Sequence, residues 1–246
     1  MTEQEKREQI RIKRQKQRRK QELIRSLILI TLGLILGIIL CLGVQGIHHL
    51  IKSRGSGTAT ADASVTKVVE TQPDIDVELL TPNEYSRPQL ALEEVNAIVI
   101  HYTANPGTTA IQNRDYFEGL ADSGETYASS HFIIGLEGEI VQCIPTTEQS
   151  YASNARNSDT ISIECCHEDE TGEFNDETYD SLVYMTAWLL GKFDLTTDDI
   201  IRHYDITGKE CPKYFVDHED AWEQFKEDVA AYIDENGVEV DESEAE

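Results

Sequence analysis

Ala97-Ile-Val-Ile-His-Tyr-Thr103 is the stretch whose reading decides the fold. It is a continuous run rich in β-branched residues, the pattern of a strand buried on both faces. Such strands belong to sheets that helices cover on each side. His101 stands near the end of the run, and Ala104-Asn-Pro-Gly107 supplies a strong turn after it. Residues 109–119 read as a helix with Ile111, Tyr116 and Phe117 near one side, continued by Leu120. Residues 129–135 and 139–144 read as two strands joined by the turn Leu136-Glu-Gly-Glu139. Thr160-Ile-Ser-Ile-Glu-Cys-Cys166 is a further strand, with Ile161, Ile163 and Cys165 on one face and Ser162, Glu164 and Cys166 on the other. Leu182, Met185, Leu189 and Phe193 recur at helical spacing over 178–193, as do Trp222, Phe225, Val229 and Tyr232 over 217–233. Strands interleaved with helices predict an α/β body with a central mixed β-sheet flanked by helices.

Upstream of this body the composition changes sharply. Residues 1–25 hold ten Lys/Arg and four Glu. The whole chain has 21 basic and 46 acidic side chains, so the remainder carries 11 against 42. Between head and body lies Ser26-Leu-Ile-Leu-Ile-Thr-Leu-Gly-Leu-Ile-Leu-Gly-Ile-Ile-Leu-Cys-Leu-Gly-Val44, without a charge and without a polar face. At about 1.5 Å per residue it reaches roughly 28 Å, the thickness of a bilayer core. The expectation is a single transmembrane signal-anchor helix preceding the α/β domain. Lys and Arg flank only its N-terminal side, which keeps 1–25 in the cytoplasm and puts the body outside. A cleaved signal peptide is the alternative, but Val44-Gln45-Gly46 is a poor cleavage site.

The expected organisation is a basic cytoplasmic segment at 1–25, the anchor at 26–44, a flexible linker at 45–80, the folded domain at 81–233 and an acidic disordered tail at 234–246. The basic head serves topology and meets anionic lipid heads. The acidic body repels phosphate, so nucleic acid is not an expected partner.

Of five cysteines, Cys41 lies in the apolar span, leaving Cys143, Cys165, Cys166 and Cys211. Four are too few for a disulfide-built scaffold. If Cys211 binds metal, Cys143 with one of the adjacent pair is the plausible bridge. The alternative is three small buried apolar residues.

Chemistry concentrates in Ile201-Arg-His-Tyr-Asp-Ile-Thr-Gly-Lys-Glu-Cys-Pro-Lys213. Imidazole and thiolate are preferred zinc ligands, and a loop must fold back to bring His203 and Cys211 to one ion. His101, at the rim of the sheet, would complete a three-ligand set that leaves a fourth position open, as in zinc catalysts. Glu164, on a strand with apolar neighbours, is the candidate proton carrier. Lys209, two residues before Cys211, is the candidate stabiliser of negative charge on an attacked carbonyl.

Four ordered motifs carry a resemblance: Ile98-Val-Ile-His101, Ser130-His-Phe-Ile-Ile134 with Gly138 following, Asn157-Ser-Asp-Thr-Ile-Ser-Ile-Glu164, and Arg202-His-Tyr-Asp-Ile-Thr-Gly-Lys-Glu-Cys-Pro212. From about residue 97 to 225 the chain resembles the zinc-dependent type 2 N-acetylmuramoyl-L-alanine amidases. These share a fold with peptidoglycan recognition proteins and certain phage lysozyme-like amidases. The resemblance implies that His101, His203 and Cys211 bind zinc, that Glu164 is the general acid/base, and that Lys209 stabilises the transition state. His131 matches a recurrent family histidine near the site that is not a ligand, a structural or substrate-side residue. Some phage members carry Tyr where this chain has Ser130, so a catalytic hydroxyl is not expected there. The implied reaction is hydrolysis of the amide between N-acetylmuramic acid and L-alanine in peptidoglycan, outside a bacterial membrane. The alternative is a non-catalytic peptidoglycan-binding receptor on the same fold.

Overall fold

The computed structural model describes residues 66–240. The basic head, the apolar segment 26–44, most of the linker and residues 241–246 lie outside the described residues. Among the described residues no helix is long and apolar enough to cross a membrane. The strands are β1 (Thr66–Val68), β2 (Asp76–Val77), β3 (Ala97–Tyr102), β4 (Phe132–Ile134), β5 (Ile140–Gln142), β6 (Thr160–Cys165), β7 (Ile200–Arg202) and β8 (Val238–Val240). The α-helices are α1 (Ala110–Ser123), α2 (Asp176–Lys192), α3 (His203–Thr207), α4 (Lys213–Asp217) and α5 (Glu219–Asn236).

Six strands form one sheet in the order β2-β5-β4-β6-β3-β7. All neighbours are parallel except β4 and β5, which are the antiparallel hairpin. The mixed sheet flanked by helices is the predicted architecture. The β4–β5 connection turns at Gly138, whose φ of +81° a side chain would strain. A Cβ there would also come within 2.9 Å of the Glu177 carbonyl oxygen.

Side-chain alternation gives the sheet two apolar faces. Ile98, Ile100, Ile161, Ile163 and Cys165 pack against Leu182, Met185 and Leu189 of α2 and Trp222, Phe225 and Val229 of α5. Ile133, Val141, Cys143 and Cys166 pack with Leu80 and with Ala110, Phe117 and Leu120 of α1. Each large side chain buried this way contributes about 1.5–3 kcal/mol. Because the period is two, His101 and Glu164 fall on the α1 face of the sheet. That face also carries the loop between β5 and β6.

Helix α1 starts on a capping box, in which Thr109 and Gln112 satisfy each other's backbone N–H groups. It ends at Ser123, four residues beyond the predicted stop, with Gly124 as its cap. The predicted helix over 217–233 is α5, and the short helix α4 that precedes it is separated from it at His218 (φ −130°, ψ 82°).

Residues 66–80 were expected to continue the linker, yet they are folded. Strand β1 pairs antiparallel with β8, and β2 extends the large sheet beside β5. Val69 and Leu80 are buried. Residues 234–240 were expected to belong to a disordered tail, but α5 runs on to Asn236 and β8 follows. Lys67 Nζ joins the two ends, donating to the Asp234 carboxylate at 2.7 Å and its carbonyl oxygen at 2.8 Å. Of the two readings of Cys143, Cys165 and Cys166, the structure shows the unbridged one. These three cysteines and Cys211 are free and buried. Burial pushes the Cys143 thiol up to about 12, so it behaves as a small apolar group.

Candidate metal centre

Adjacent parallel strands bring the central residues to one end of the sheet. His101 is near the carboxyl end of β3, directly opposite Glu164 on β6. On the other side of β3, β7 pairs Arg202 with Ile100, and His203 follows as the first residue of α3. Carboxyl ends of parallel strands are where open α/β sheets place their ligands.

Cys211 reaches this end by a tight reversal. Helix α3 lasts five residues and closes on Gly208 in the left-handed conformation. The chain then turns back until the Tyr204 N–H donates to the Cys211 carbonyl at 2.9 Å. The Cys211–Pro212 peptide is cis. Arg202 fastens the base of the reversal. Its guanidinium donates to Asp205, to Glu219 and to the Phe215 carbonyl oxygen, and it lies over the rings of Tyr204 and Trp222. The predicted loop is therefore a helical turn locked by a buried cation.

One donor atom each from His101, His203 and Cys211 lies within 4.8 Å of the others. Cys211 Sγ is 3.6 Å from His101 Nδ1, and the two imidazole centroids are 4.8 Å apart. Seven buried side-chain nitrogen or oxygen atoms lack a hydrogen-bond partner among the described residues. Three of them are His101 Nε2, His203 Nδ1 and Glu164 Oε2. Buried polar atoms without partners are costly, and their concentration here marks a place meant for a ligand or ion. Two imidazoles and one thiol are a zinc-type donor set. The residues fit that metal.

Electrostatics favour the same use. Burial, then the neighbouring His203 and Lys209, hold His101 well below the ordinary imidazole range. Burial and Lys209 also lower His203. Both shifts favour the neutral ring, the form that ligates metal. Burial pushes the Cys211 thiol up to about 12, helped by the Glu164 charge and opposed by a bond from the Tyr102 backbone and by Lys209. Metal uptake must therefore displace its proton. Glu164 is raised to about 8 by burial, with Lys209 pulling in the opposite direction. Lys209 is exposed, and its charge acts on His101, Glu164, His203 and Cys211 alike.

His131 and Ser130 are both wholly buried, and His131 is near enough to the centre to help lower His101. The His131 ring accepts from the Ser162 N–H at Nδ1 (3.0 Å) and donates from Nε2 to the Glu148 carbonyl (2.9 Å). Ser130 Oγ lies 3.0 Å from the Phe132 and Ser162 carbonyl oxygens and 3.1 Å from Ser162 Oγ. Their polar atoms are occupied in joining β4 to β6. The sequence reading missed Asn154, whose Oδ1 is 2.7 Å from His203 Nε2. Nothing in its local sequence marks it, since it follows a serine in an ordinary polar turn.

With this geometry in place, comparison with known proteins is informative. The family model for N-acetylmuramoyl-L-alanine amidase matches residues 91–214. The N-acetylmuramoyl-L-alanine amidase CwlL of Bacillus licheniformis is 34% identical over 164 residues, 61% of this chain and 45% of the relative. The N-acetylmuramoyl-L-alanine amidase BlyA of Bacillus subtilis (strain 168) is 33% identical over 177 residues, 63% of this chain and 47% of the relative. The chain thus spans less than half the length of these two relatives. The catalytic domain of XlyA superposes with a TM-score of 0.55 at 24% identity, covering 64% of this chain and 99% of that domain, a likeness of fold. The matched segment carries all three metal-type donors and Glu164, and it extends over half of the sequence: the chain belongs to the N-acetylmuramoyl-L-alanine amidase family.

Proposed function

We propose that this chain is a zinc-dependent peptidoglycan amidase that cleaves the amide between N-acetylmuramic acid and L-alanine. The observation that carries the reading is the meeting of His101, His203 and Cys211 beside the unpartnered Oε2 of Glu164. The relatives named as amidases support the substrate. Zinc held by the two imidazoles and the thiolate would act as a Lewis acid, polarising a carbonyl and making water acidic near neutral pH.

The protein's own groups do the rest. Glu164 takes a proton from the attacking water on Oε2 and returns it to the leaving nitrogen of L-alanine. Its raised affinity for protons suits a group that must hold one and release it. Lys209 sets a positive charge against the oxygen of the attacked carbonyl. His131 and Ser130 keep the strands that carry the site in register. A non-catalytic receptor would need neither the full donor set nor an isolated carboxylate, and no observation favours it.

We place the domain on the outer side of a bacterial membrane, tethered through residues 26–44 with the N-terminus in the cytoplasm. The uncharged segment and the one-sided basic flank support that placement. Peptidoglycan is then the partner within reach.

The test pairs zinc content with wall digestion. Purified protein is expected to hold one zinc per chain, and Cys211→Ser none. Wild type should release new L-alanine amino termini from purified walls. Glu164→Gln should release them about 10²–10⁴-fold more slowly while keeping its zinc. Equal release by both proteins would mean that Glu164 is not the proton carrier.

A further inference from the structure

We infer that Asn154 is the positioning residue of the metal centre: its amide oxygen fixes the ring of His203 so that Nδ1 faces the ion. The inference rests on the zinc reading above and adds a residue to it.

Asn154 Oδ1 lies 2.7 Å from His203 Nε2. An amide oxygen can only accept, so the ring must carry its proton on Nε2. Nδ1 is then the nitrogen with a free lone pair, and it is the buried nitrogen that has no partner. A hydrogen bond to the far nitrogen of a ligating histidine sets both tautomer and ring orientation. Asn154 therefore determines which atom of His203 is available, without touching substrate or metal itself.

The backbone is arranged to deliver this one side chain. Asn154 has φ +52°, in the left-handed region that residues with a side chain seldom adopt and that Asn tolerates better than most. Such a conformation persists where its surroundings enforce it. The Ser153 N–H donates to Asn157 Oδ1 at 2.6 Å, Arg156 Nε donates to the Asp159 carboxylate, and Thr160 Oγ1 donates to the Arg156 carbonyl at 2.7 Å. Thr160 is the first residue of β6, the strand that carries Glu164. One short segment thus ties the proton carrier's strand to the orientation of a metal ligand. The partner is neutral, so it orients the ring without adding negative charge to the centre.

Glycine accepts φ +52° without strain, so Asn154→Gly removes the acceptor and spares the backbone. Asn154→Asp keeps an oxygen in the same place. The full chain is purified in detergent, stripped of metal, and titrated with zinc against a chromogenic chelator. Thermal melts of the stripped proteins check that each variant folds. Asn154→Gly is expected to bind zinc about 10–100-fold more weakly than wild type, and Asn154→Asp to stay within a few-fold of it. Asn154→Gly binding as tightly as wild type, or Asn154→Asp binding as weakly as Asn154→Gly, overturns the inference while leaving the zinc reading intact. A wild type that takes up no zinc overturns both.

Discussion

At the scale of single residues, His131 shows how a buried imidazole ties stability to pH. Both ring nitrogens are bonded inside the sheet, and burial lowers its pKa from 6.5 to about 4. In the unfolded chain it takes up a proton near the ordinary 6.5. Between those values the unfolded state binds the proton and the folded state does not. Stability is therefore complete above about pH 6.5 and falls as pH drops toward 4, by about 3 kcal/mol. Urea midpoints measured across this window, with chelator present so that metal loss does not contribute, should slope more steeply for wild type than for His131→Asn. Parallel curves would show that His131 is not the titrating group.

Sequence was informative at this scale where residue type and chemistry coincide. Two histidines, a cysteine and an isolated glutamate have few reasons to recur in that order. Asn154 was illegible because its role depends on a left-handed backbone and on a ring 49 positions away. The saturation of Ser130 and His131 was equally hidden, since their partners, Ser162 on β6 and Glu148 in the loop before it, become neighbours only in the folded domain.

At the scale of elements, the reversal from α3 to Cys211 turns on Gly208, at φ +77°. A Cβ there would meet nothing within 4 Å, so substitution tests the backbone alone. Gly208→Ala is expected to cost about 1–2 kcal/mol by urea denaturation and to weaken zinc binding, because the strain falls three residues before a ligand. No loss of stability would mean that the turn can adopt another conformation. The large elements were readable because their patterns are local: β3 as an unbroken apolar run, α2 and α5 as helical stripes. Strands β1 and β8 were not, being three residues each with Lys67 and Glu239 in the middle. Only their pairing across most of the domain makes them strands, and a linker-like composition hid it.

At the scale of the molecule, the charge that excluded nucleic acid also bears on the wall. Outside residues 1–25 acidic side chains outnumber basic ones 42 to 11. Within α5 alone Glu219, Asp220, Glu223, Glu227, Asp228, Asp234 and Glu235 stand against Lys226. Many bacterial walls carry anionic polymers, which such a body repels over a Debye length. That length is about 30 Å at 0.01 M salt and about 8 Å at 0.15 M. Under the proposed tethering this repulsion would be useful, since the anchor would keep the domain near its proposed substrate while charge limited adsorption. The domain's binding to purified walls bearing anionic polymer should therefore rise as salt is raised through this range. Walls stripped of the polymer should bind it with little change. Binding that falls with salt on both would show that attraction through the few basic groups, Lys209 among them, outweighs the acidic surface.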